Sequence, residues 1–156
     1  MKLRTKHLGE VEVEESAIYT FEQGLPAFEE ETSFVLLPFS SDDTFWMLQS
    51  MRTPKLALVI ADPFVFFPDY RVELTDVVIE QLAIEKEEDV AIFSVLTLQE
   101  PFTNTTANLQ APIVLNAAEK KGKQMVGTDT AFKTKHPLFP RDQKQAATEA
   151  KGGSSC

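Results

Sequence analysis

Short apolar segments, separated by turn-forming residues, recur along most of the chain and limit the fold that it can adopt. Each segment is three to ten residues long and is bounded by Pro, Gly, Asp, Asn or Ser, the usual punctuation of β-strands. In residues 10–14, Glu and Val alternate, so Glu12 and Glu14 should face solvent while Val11 and Val13 face the core. The other expected strands are residues 33–38, 45–49, 56–61, 89–98, 113–115 and 124–126.

One segment suits a helix better than a strand. Thr75 can cap residues 76–82, in which apolar side chains recur at 78, 79 and 82, and Asp76 lies near the positive end of the helix dipole. A strand is the alternative, because Val and Ile favour sheets. Closely spaced strands with one short helix predict an all-β, mainly antiparallel single domain, either a small barrel or a strongly bent sheet.

The domain is expected to span residues 1–140. Residues 141–156 are rich in Ala, Lys, Gln, Gly and Ser and lack a periodic apolar face, which predicts a disordered C-terminal tail. Its Gly-Gly-Ser-Ser end resembles a flexible linker, either native or artificially appended.

Charge is distributed unevenly. The chain carries a formal net charge of −9, but residues 1–100 hold 20 acidic and 7 basic side chains, a net of −13, while residues 101–156 hold 4 and 8, a net of +4. Nucleic-acid binders use positive surfaces, so no direct nucleic-acid partner is expected. An acidic surface attracts a basic protein, although solubility alone is the alternative explanation.

The single cysteine, Cys156, rules out an internal disulfide and fits a reducing compartment. No apolar run approaches the roughly 20 residues of a membrane span, and the polar start does not resemble a signal peptide. We therefore expect a cytoplasmic protein with no membrane partner.

Residues suited to catalysis or metal binding are scarce. His7 and His136 are the only histidines, and neither belongs to a His-x-x-His, Cys-x-x-Cys or Gly-x-Ser-x-Gly pattern. Phosphate-binding glycine loops are also absent from the sequence. No catalytic, cofactor-binding or metal-binding residues are expected, and the chain is not expected to be an enzyme. The alternative is a small-molecule-binding or hydrolytic β-barrel with acidic side chains lining a cavity.

Two segments are candidates for binding a partner. Residues 63–70 hold three Phe between two prolines, followed by one Tyr, which indicates either a loop packed on the core or an aromatic rim for a partner's apolar segment. Residues 103–116 contain amides and hydroxyls but no His, Cys or charge. They suit hydrogen bonding, either within a structured turn that leads into the strand at 113 or to a partner's backbone.

Four motifs in order resemble the bacterial FliW family of flagellar assembly factors. They are Phe-Glu-Gln-Gly-Leu-Pro-Ala-Phe-Glu at 21–29, Leu-Gln-Ser at 48–50, the aromatic segment at 63–70, and Thr-Ala-Asn-Leu-Gln-Ala-Pro-Ile-Val-Leu-Asn at 106–116, followed by Gly122 and Gln124. The departure is Ala27, where the family usually has Gly. The residues expected to be structural signatures are Gly24, Leu25, Pro26, Pro68, Leu109, Pro112 and Asn116.

The resemblance implies a small antiparallel β-barrel that acts without catalysis, and we expect it to be a monomer. Proteins of this family bind two partners in turn: newly made flagellin, and the RNA-binding translational regulator CsrA. Binding CsrA relieves its repression of the flagellin mRNA, and accumulating flagellin reverses the effect. A chaperone that binds flagellin alone is the remaining alternative.

Candidate contacts follow from the chemistry of the two partners. The basic CsrA should meet acidic side chains, for which the candidates are Glu29, Glu30, Glu31, Glu87, Glu88 and Asp89. Apolar helices of flagellin should meet aromatic and amide side chains, for which the candidates are Phe64, Phe66, Phe67, Tyr70, Asn104, Thr106 and Asn108.

Overall fold

The computed structural model describes residues 1–40, 44–126 and 133–139, so the predicted tail at 141–156 lies outside the described residues. The ten strands are β1 (Lys2–Arg4), β2 (Glu10–Glu12), β3 (Ile18–Thr20), β4 (Ser33–Pro38), β5 (Phe45–Ser50), β6 (Ala57–Ala61), β7 (Val90–Thr97), β8 (Thr106–Asn116), β9 (Lys121–Gln124) and β10 (His136–Pro137). Within the described residues, the α-helices are α1 (Pro63–Phe66) and α2 (Asp76–Gln81), and short 3-10 turns lie at Glu15–Ala17, Glu87–Asp89 and Phe102–Asn104.

Seven strands close into a barrel, in the order β8-β7-β6-β5-β4-β3-β9, with β9 pairing back onto β8. Every neighbouring pair is antiparallel except β3 and β9, which meet in parallel at Thr20 and Lys121. A closed ring with an odd number of strands must contain at least one parallel pair. Strand β10 pairs with the beginning of β8, and β1 and β2 form a separate two-stranded sheet. The predicted all-β barrel is confirmed.

Apolar side chains from six strands fill the barrel interior. The period-two alternation of strands sends Leu48 and Ile60 inward, and sends Met47 and Val59 to the outer face. The buried members of the inner cluster are Tyr19, Phe21, Leu25, Phe34, Leu48, Ile60, Phe93, Ile113 and Leu115. The interior is therefore a packed core.

Two further apolar clusters cover the outer face of the sheet. Helix α2 packs Val78 and Leu82 against Val114 of β8 and Met125. Its start is as predicted, since Thr75 Oγ1 accepts a hydrogen bond of 3.2 Å from the backbone N–H of Val78. The second outer cluster lies over β6, β7 and the first half of β8, and it is closed by residues 66–72 and 138–139.

Three local predictions need correction. Residues 63–66, expected to lie in a loop, form the α-helical turn α1, because Asp62 caps its N-terminus and Pro63 occupies the first turn. The strand expected at 113–115 begins at Thr106 instead, so the polar segment before it belongs to the barrel wall. The strand expected at 124–126 lies at Lys121–Gln124.

Candidate partner-binding surfaces

Strand β8, which carries the most specific sequence motif, bends at a β-bulge of four residues. In its ladder with β7, Asn108 lies opposite Val95 and Ile113 lies opposite Phe93, so residues 109–112 face a single residue of β7. The bulge divides β8 into a half that pairs with β10 and a half that pairs with β9. The motif therefore builds the corner of the barrel.

Hydrogen bonds within the chain account for the amide side chains of this corner. Asn108 Oδ1 accepts from the backbone N–H groups of Gln110 and Ala111, each at 3.0 Å. The carbonyl of Lys133 accepts from the N–H groups of Leu109 and Gln110 at 3.0 and 3.2 Å. Asn108, expected near a partner, is therefore used by the fold.

The end of β8 is anchored by Asn116, which is 1% exposed. Its Nδ2 donates to the carbonyls of Leu82 and Ala83 at 2.8 and 3.2 Å. Its Oδ1 accepts from the N–H groups of Ala118 and Glu119 at 3.0 and 3.3 Å. One side chain thus joins the end of α2, the end of β8 and the turn into β9.

Four phenylalanines form a closed ring of contacts on the outer face of the barrel. Phe45 contacts Phe66 and Phe102, and Phe139 contacts the same two rings, with centroids between 5.6 and 6.2 Å apart. We call this cluster, together with the α1 residues Phe64 and Val65, the aromatic patch. Its most exposed members are Val65 (61%), Phe102 (43%) and Phe64 (40%).

The other aromatic and polar candidates support this patch or border it. Phe67 is half-buried against the His136 ring, at 6.1 Å between centroids. Tyr70, expected at a partner-facing rim, is 2% exposed, and its hydroxyl donates to the carbonyl of Leu109 at 2.7 Å. Burial raises the pKa of Tyr70 to about 12. Asn104 is exposed in the 3-10 turn that carries Phe102, while Thr106 is half-buried at the start of β8.

A second exposed feature is the connection between β3 and β4. Its backbone is held by a bridge in which Leu25 and Phe28 exchange hydrogen bonds at 3.2 and 2.7 Å. Gly24 has a positive φ of 64°, and a Cβ there would lie 2.5 Å from the Glu29 carbonyl oxygen. Leu25 is buried, whereas residues 26–30 are exposed. We call these exposed residues, Pro26, Ala27, Phe28, Glu29 and Glu30, the acidic tip.

Glu31 differs from its two acidic neighbours. Its carboxylate accepts hydrogen bonds from Ser50 Oγ at 2.5 Å and from Thr53 Oγ1 at 2.6 Å. These two bonds hold the pKa of Glu31 below its ordinary value. Glu31, expected as a partner contact, therefore fastens the β5–β6 loop to the acidic tip.

The buried Gln49, in the Leu-Gln-Ser motif, supports the same loop. Its Nε2 lies 3.1 to 3.3 Å from the carbonyl oxygens of Ser50, Thr53, Pro54 and Leu56, and its Oε1 accepts from the N–H of Lys6 at 2.9 Å. The motif is explained by this polar network, because a buried amide must be hydrogen-bonded.

The second acidic run lies at the other end of the barrel. Glu87, Glu88 and Asp89 form a 3-10 turn directly before β7, and the first two are exposed. Three successive antiparallel pairings separate β4 from β7, so these strands start at opposite ends. The structure therefore does not bring the two acidic runs together.

The sequence did not single out the exposed residues Phe28, Val65 and Phe102, nor the partly buried Phe139, as partner contacts. Phe28 and Val65 lie inside segments that were recognised, but their exposure depends on the turn and on the helix that hold them. Phe102 stands among mostly polar residues in the sequence, and only the fold places its ring against both Phe45 and Phe139.

Metal-binding groups and membrane-spanning helices are absent from the residues that the structure describes. No group of three or more His, Cys, Asp or Glu side chains in residues 1–40, 44–126 and 133–139 is arranged to hold a metal ion. Within the same ranges, no helix has the length and apolar character needed to cross a membrane.

Comparison with known proteins identifies the family. The sequence model described as FliW protein matches residues 2–138. The flagellar assembly factor FliW of Geobacillus kaustophilus (strain HTA426) is 53% identical over 140 residues, which cover 90% of this chain and 96% of that protein. The FliW of Bacillus velezensis (strain DSM 23117 / BGSC 10A6 / LMG 26770 / FZB42) is 46% identical over 156 residues and the full length of both.

A solved structure agrees with the sequence relatives. The crystal structure of a flagellar assembly factor FliW superposes with a TM-score of 0.85 at 49% identity, covering 90% of this chain and 99% of that chain. The fold, the sequence motifs and these relatives lead to one conclusion: the chain belongs to the FliW family.

Proposed function

We propose that this protein is a non-enzymatic flagellar assembly factor of the cytoplasm that binds flagellin and CsrA in turn. The role in flagellar assembly is the one for which its relatives are named. The exchange of partners, by which CsrA is prevented from repressing flagellin mRNA, is our proposal for this chain. The observation that carries it is the aromatic patch, an exposed apolar surface on the outer face of the barrel.

The patch suits the apolar face of an amphipathic helix. Val65, Phe64 and Phe102 are exposed, and the Phe102 ring packs against the rings of Phe45 and Phe139. Exposed aromatic side chains on a preorganised support are typical binding hot spots, because little side-chain freedom is lost on binding. Helices of unassembled flagellin present such an apolar face, and they are the occupant that we propose.

The flagellin proposal is tested with Phe102→Ser and Val65→Ser, measured by titration calorimetry against purified monomeric flagellin. We expect each variant to weaken binding by about tenfold, because truncation of a hot-spot residue costs 1 kcal/mol or more. Val77→Ser on α2 is the matched control, since Val77 is 61% exposed but lies on another part of the surface. Equal affinities for all three variants and the parent would contradict the proposal.

The exchange of partners is tested by titrating flagellin into a preformed complex with CsrA. Release of CsrA supports the exchange, whereas a protein that binds flagellin and gives no heat with CsrA is a chaperone only.

The hydrolytic or small-molecule barrel is the less favoured function, because nine buried apolar side chains fill the barrel interior.

A further inference from the structure

We propose that Phe28 is the apolar anchor through which the acidic tip docks on its basic partner, an inference that rests on the proposed binding of CsrA. Phe28 is 46% exposed and closes a tight turn whose two central residues, Pro26 and Ala27, are also exposed. The turn thus presents a continuous apolar surface of three residues, directly followed by two exposed carboxylates.

The conformation of the tip is fixed before any partner arrives. The Leu25–Phe28 bridge is followed by a hydrogen bond of 3.0 Å from the N–H of Glu31 to the Phe28 carbonyl. Leu25 is buried in the core at the base of the turn, and the Glu31 carboxylate is fastened to Ser50 and Thr53. The backbone that carries the Phe28 ring therefore loses little conformational entropy on binding, which favours an anchor role for this residue.

Charge selects the class of partner. Glu29 and Glu30 are exposed, and among the described residues neither forms an ion pair within the chain. They stand beside an aromatic ring in the part of the sequence that carries a net charge of −13. A complementary surface has an apolar pocket for the ring and basic side chains at its rim. The partner is therefore a basic protein surface, and a purely apolar helix would leave both carboxylates unpaired.

The two contributions can be separated by their dependence on salt. Truncation of an apolar anchor lowers affinity at every ionic strength, because it removes buried area. Neutralisation of rim charges lowers affinity mainly at low salt, because screening already weakens those charges at high salt. Phe28→Ala and the double variant Glu29→Gln/Glu30→Gln should therefore give different salt profiles.

The experiment measures the Kd of purified CsrA for the full chain at several salt concentrations. We expect Phe28→Ala to raise Kd by about tenfold or more with an unchanged salt slope. The charge-neutral double variant should flatten the slope. Phe102→Ala is the matched control, because Phe102 has a similar exposure but lies in the aromatic patch. Phe28→Leu should fall between the parent and Phe28→Ala, and circular dichroism verifies that each variant is folded.

Each outcome has one meaning. If the parent protein binds CsrA and Phe28→Ala binds equally well, or if Phe28→Ala and Phe102→Ala are weakened alike, Phe28 is not the anchor. If the parent protein does not bind CsrA, the proposed function itself fails in that arm. A loss confined to Phe28→Ala, with Phe28→Leu intermediate, establishes the anchor.

Discussion

At the scale of single residues, Ala27 occupies a backbone conformation that favours glycine. Its φ is 70°, in the left-handed region, and it is exposed. That conformation costs an L-residue roughly 1–2 kcal/mol, which a change to glycine would remove. Glycine also has more conformational freedom in the unfolded chain, and this offsets roughly 0.4–1 kcal/mol of the stabilisation. The structure therefore gives a physical reason to expect glycine at this position.

We expect Ala27→Gly to raise the free energy of unfolding by roughly 0.5–1 kcal/mol and the Tm by about 2 °C. Thermal unfolding followed by circular dichroism measures both. Ala118→Gly is the control, because Ala118 is exposed in a turn and does not have a positive φ. Glycine there should lower stability, so a decrease of similar size at both positions would contradict the explanation for Ala27.

Tyr70 makes stability depend on alkaline pH. Its folded pKa of about 12 lies above the ordinary value of 10, so the folded chain keeps this proton over a range in which the unfolded chain loses it. The stabilisation is complete below pH 10 and is lost as pH rises towards 12. A difference of this size between the folded and unfolded pKa of Tyr70 contributes at most about 2–3 kcal/mol to the free energy of unfolding.

Tyr70→Phe should cost about 1–2 kcal/mol at pH 8, because the Leu109 carbonyl loses its buried donor. Urea unfolding of both proteins from pH 8 to 11.5 should show the difference shrinking above pH 10, since phenylalanine has no proton to lose. A difference that stays constant over this range would contradict the alkaline role of the hydroxyl.

At the scale of secondary-structure elements, Glu31 joins two loops. Because its pKa is held below the ordinary value, its contribution to stability is present above that value and is lost as pH falls through the folded pKa. Glu31→Gln removes the negative charge of the carboxylate and thereby weakens the hydrogen bonds that Ser50 and Thr53 donate to it. We expect faster hydrogen exchange at the N–H groups of Arg52 and Thr53, both of which donate to Ser50 Oγ.

The comparison for this prediction is Glu29→Gln, since Glu29 is exposed in the same connection. Its exchange rates in the β5–β6 loop should match those of the parent protein at pH 7. At acidic pH, where Glu31 of the Glu29→Gln variant is protonated, the two variants should show the same exchange rates at Arg52 and Thr53. If Glu31→Gln leaves the exchange of Arg52 and Thr53 unchanged at pH 7, the loop is held by Gln49 instead.

Elements whose stabilising contacts are local could be predicted from the sequence. The Thr75 cap and the spacing of Val78 and Leu82 indicated α2, and the alternation around Val13 placed that residue in the core. The start of β8 could not be predicted, because its strand conformation depends on pairing with β7 and β10, and polar residues obscure the alternation. The corner also depends on Lys133, which is distant in sequence.

For the candidate surfaces as well, the exposure and partners of individual side chains depend on contacts that the sequence does not reveal. Composition identified residues 63–70 as an aromatic segment, but it could not separate the exposed Phe64 from the buried Tyr70. That separation depends on α1 and on the Leu109 carbonyl across the outer cluster. Likewise, Glu31 is indistinguishable from Glu29 and Glu30 in the sequence until Ser50 and Thr53 are brought beside it.

At the scale of the whole molecule, barrel closure determines how the negative charge can act. The acidic tip precedes β4 and the run at 87–89 precedes β7, and these strands start at opposite ends of the barrel. A basic protein that docks on one end therefore makes short-range contacts with one run only, and the other acts only through the screened long-range field.

This arrangement predicts unequal effects of two matched charge reversals. Glu29→Lys/Glu30→Lys and Glu87→Lys/Glu88→Lys change the net charge by the same amount, and all four side chains are exposed. Because we place the basic partner on the acidic tip, the first pair should weaken CsrA binding by tenfold or more at about 0.15 M salt, where the screening length is about 8 Å. The second pair should slow association at low salt and change the affinity little at 0.15 M.

Association and dissociation rates measured by surface plasmon resonance at both salt concentrations separate these effects. Equal losses at 0.15 M would mean that total charge, rather than the acidic tip, attracts the partner, and a larger loss for the second pair would place the partner at the opposite end of the barrel.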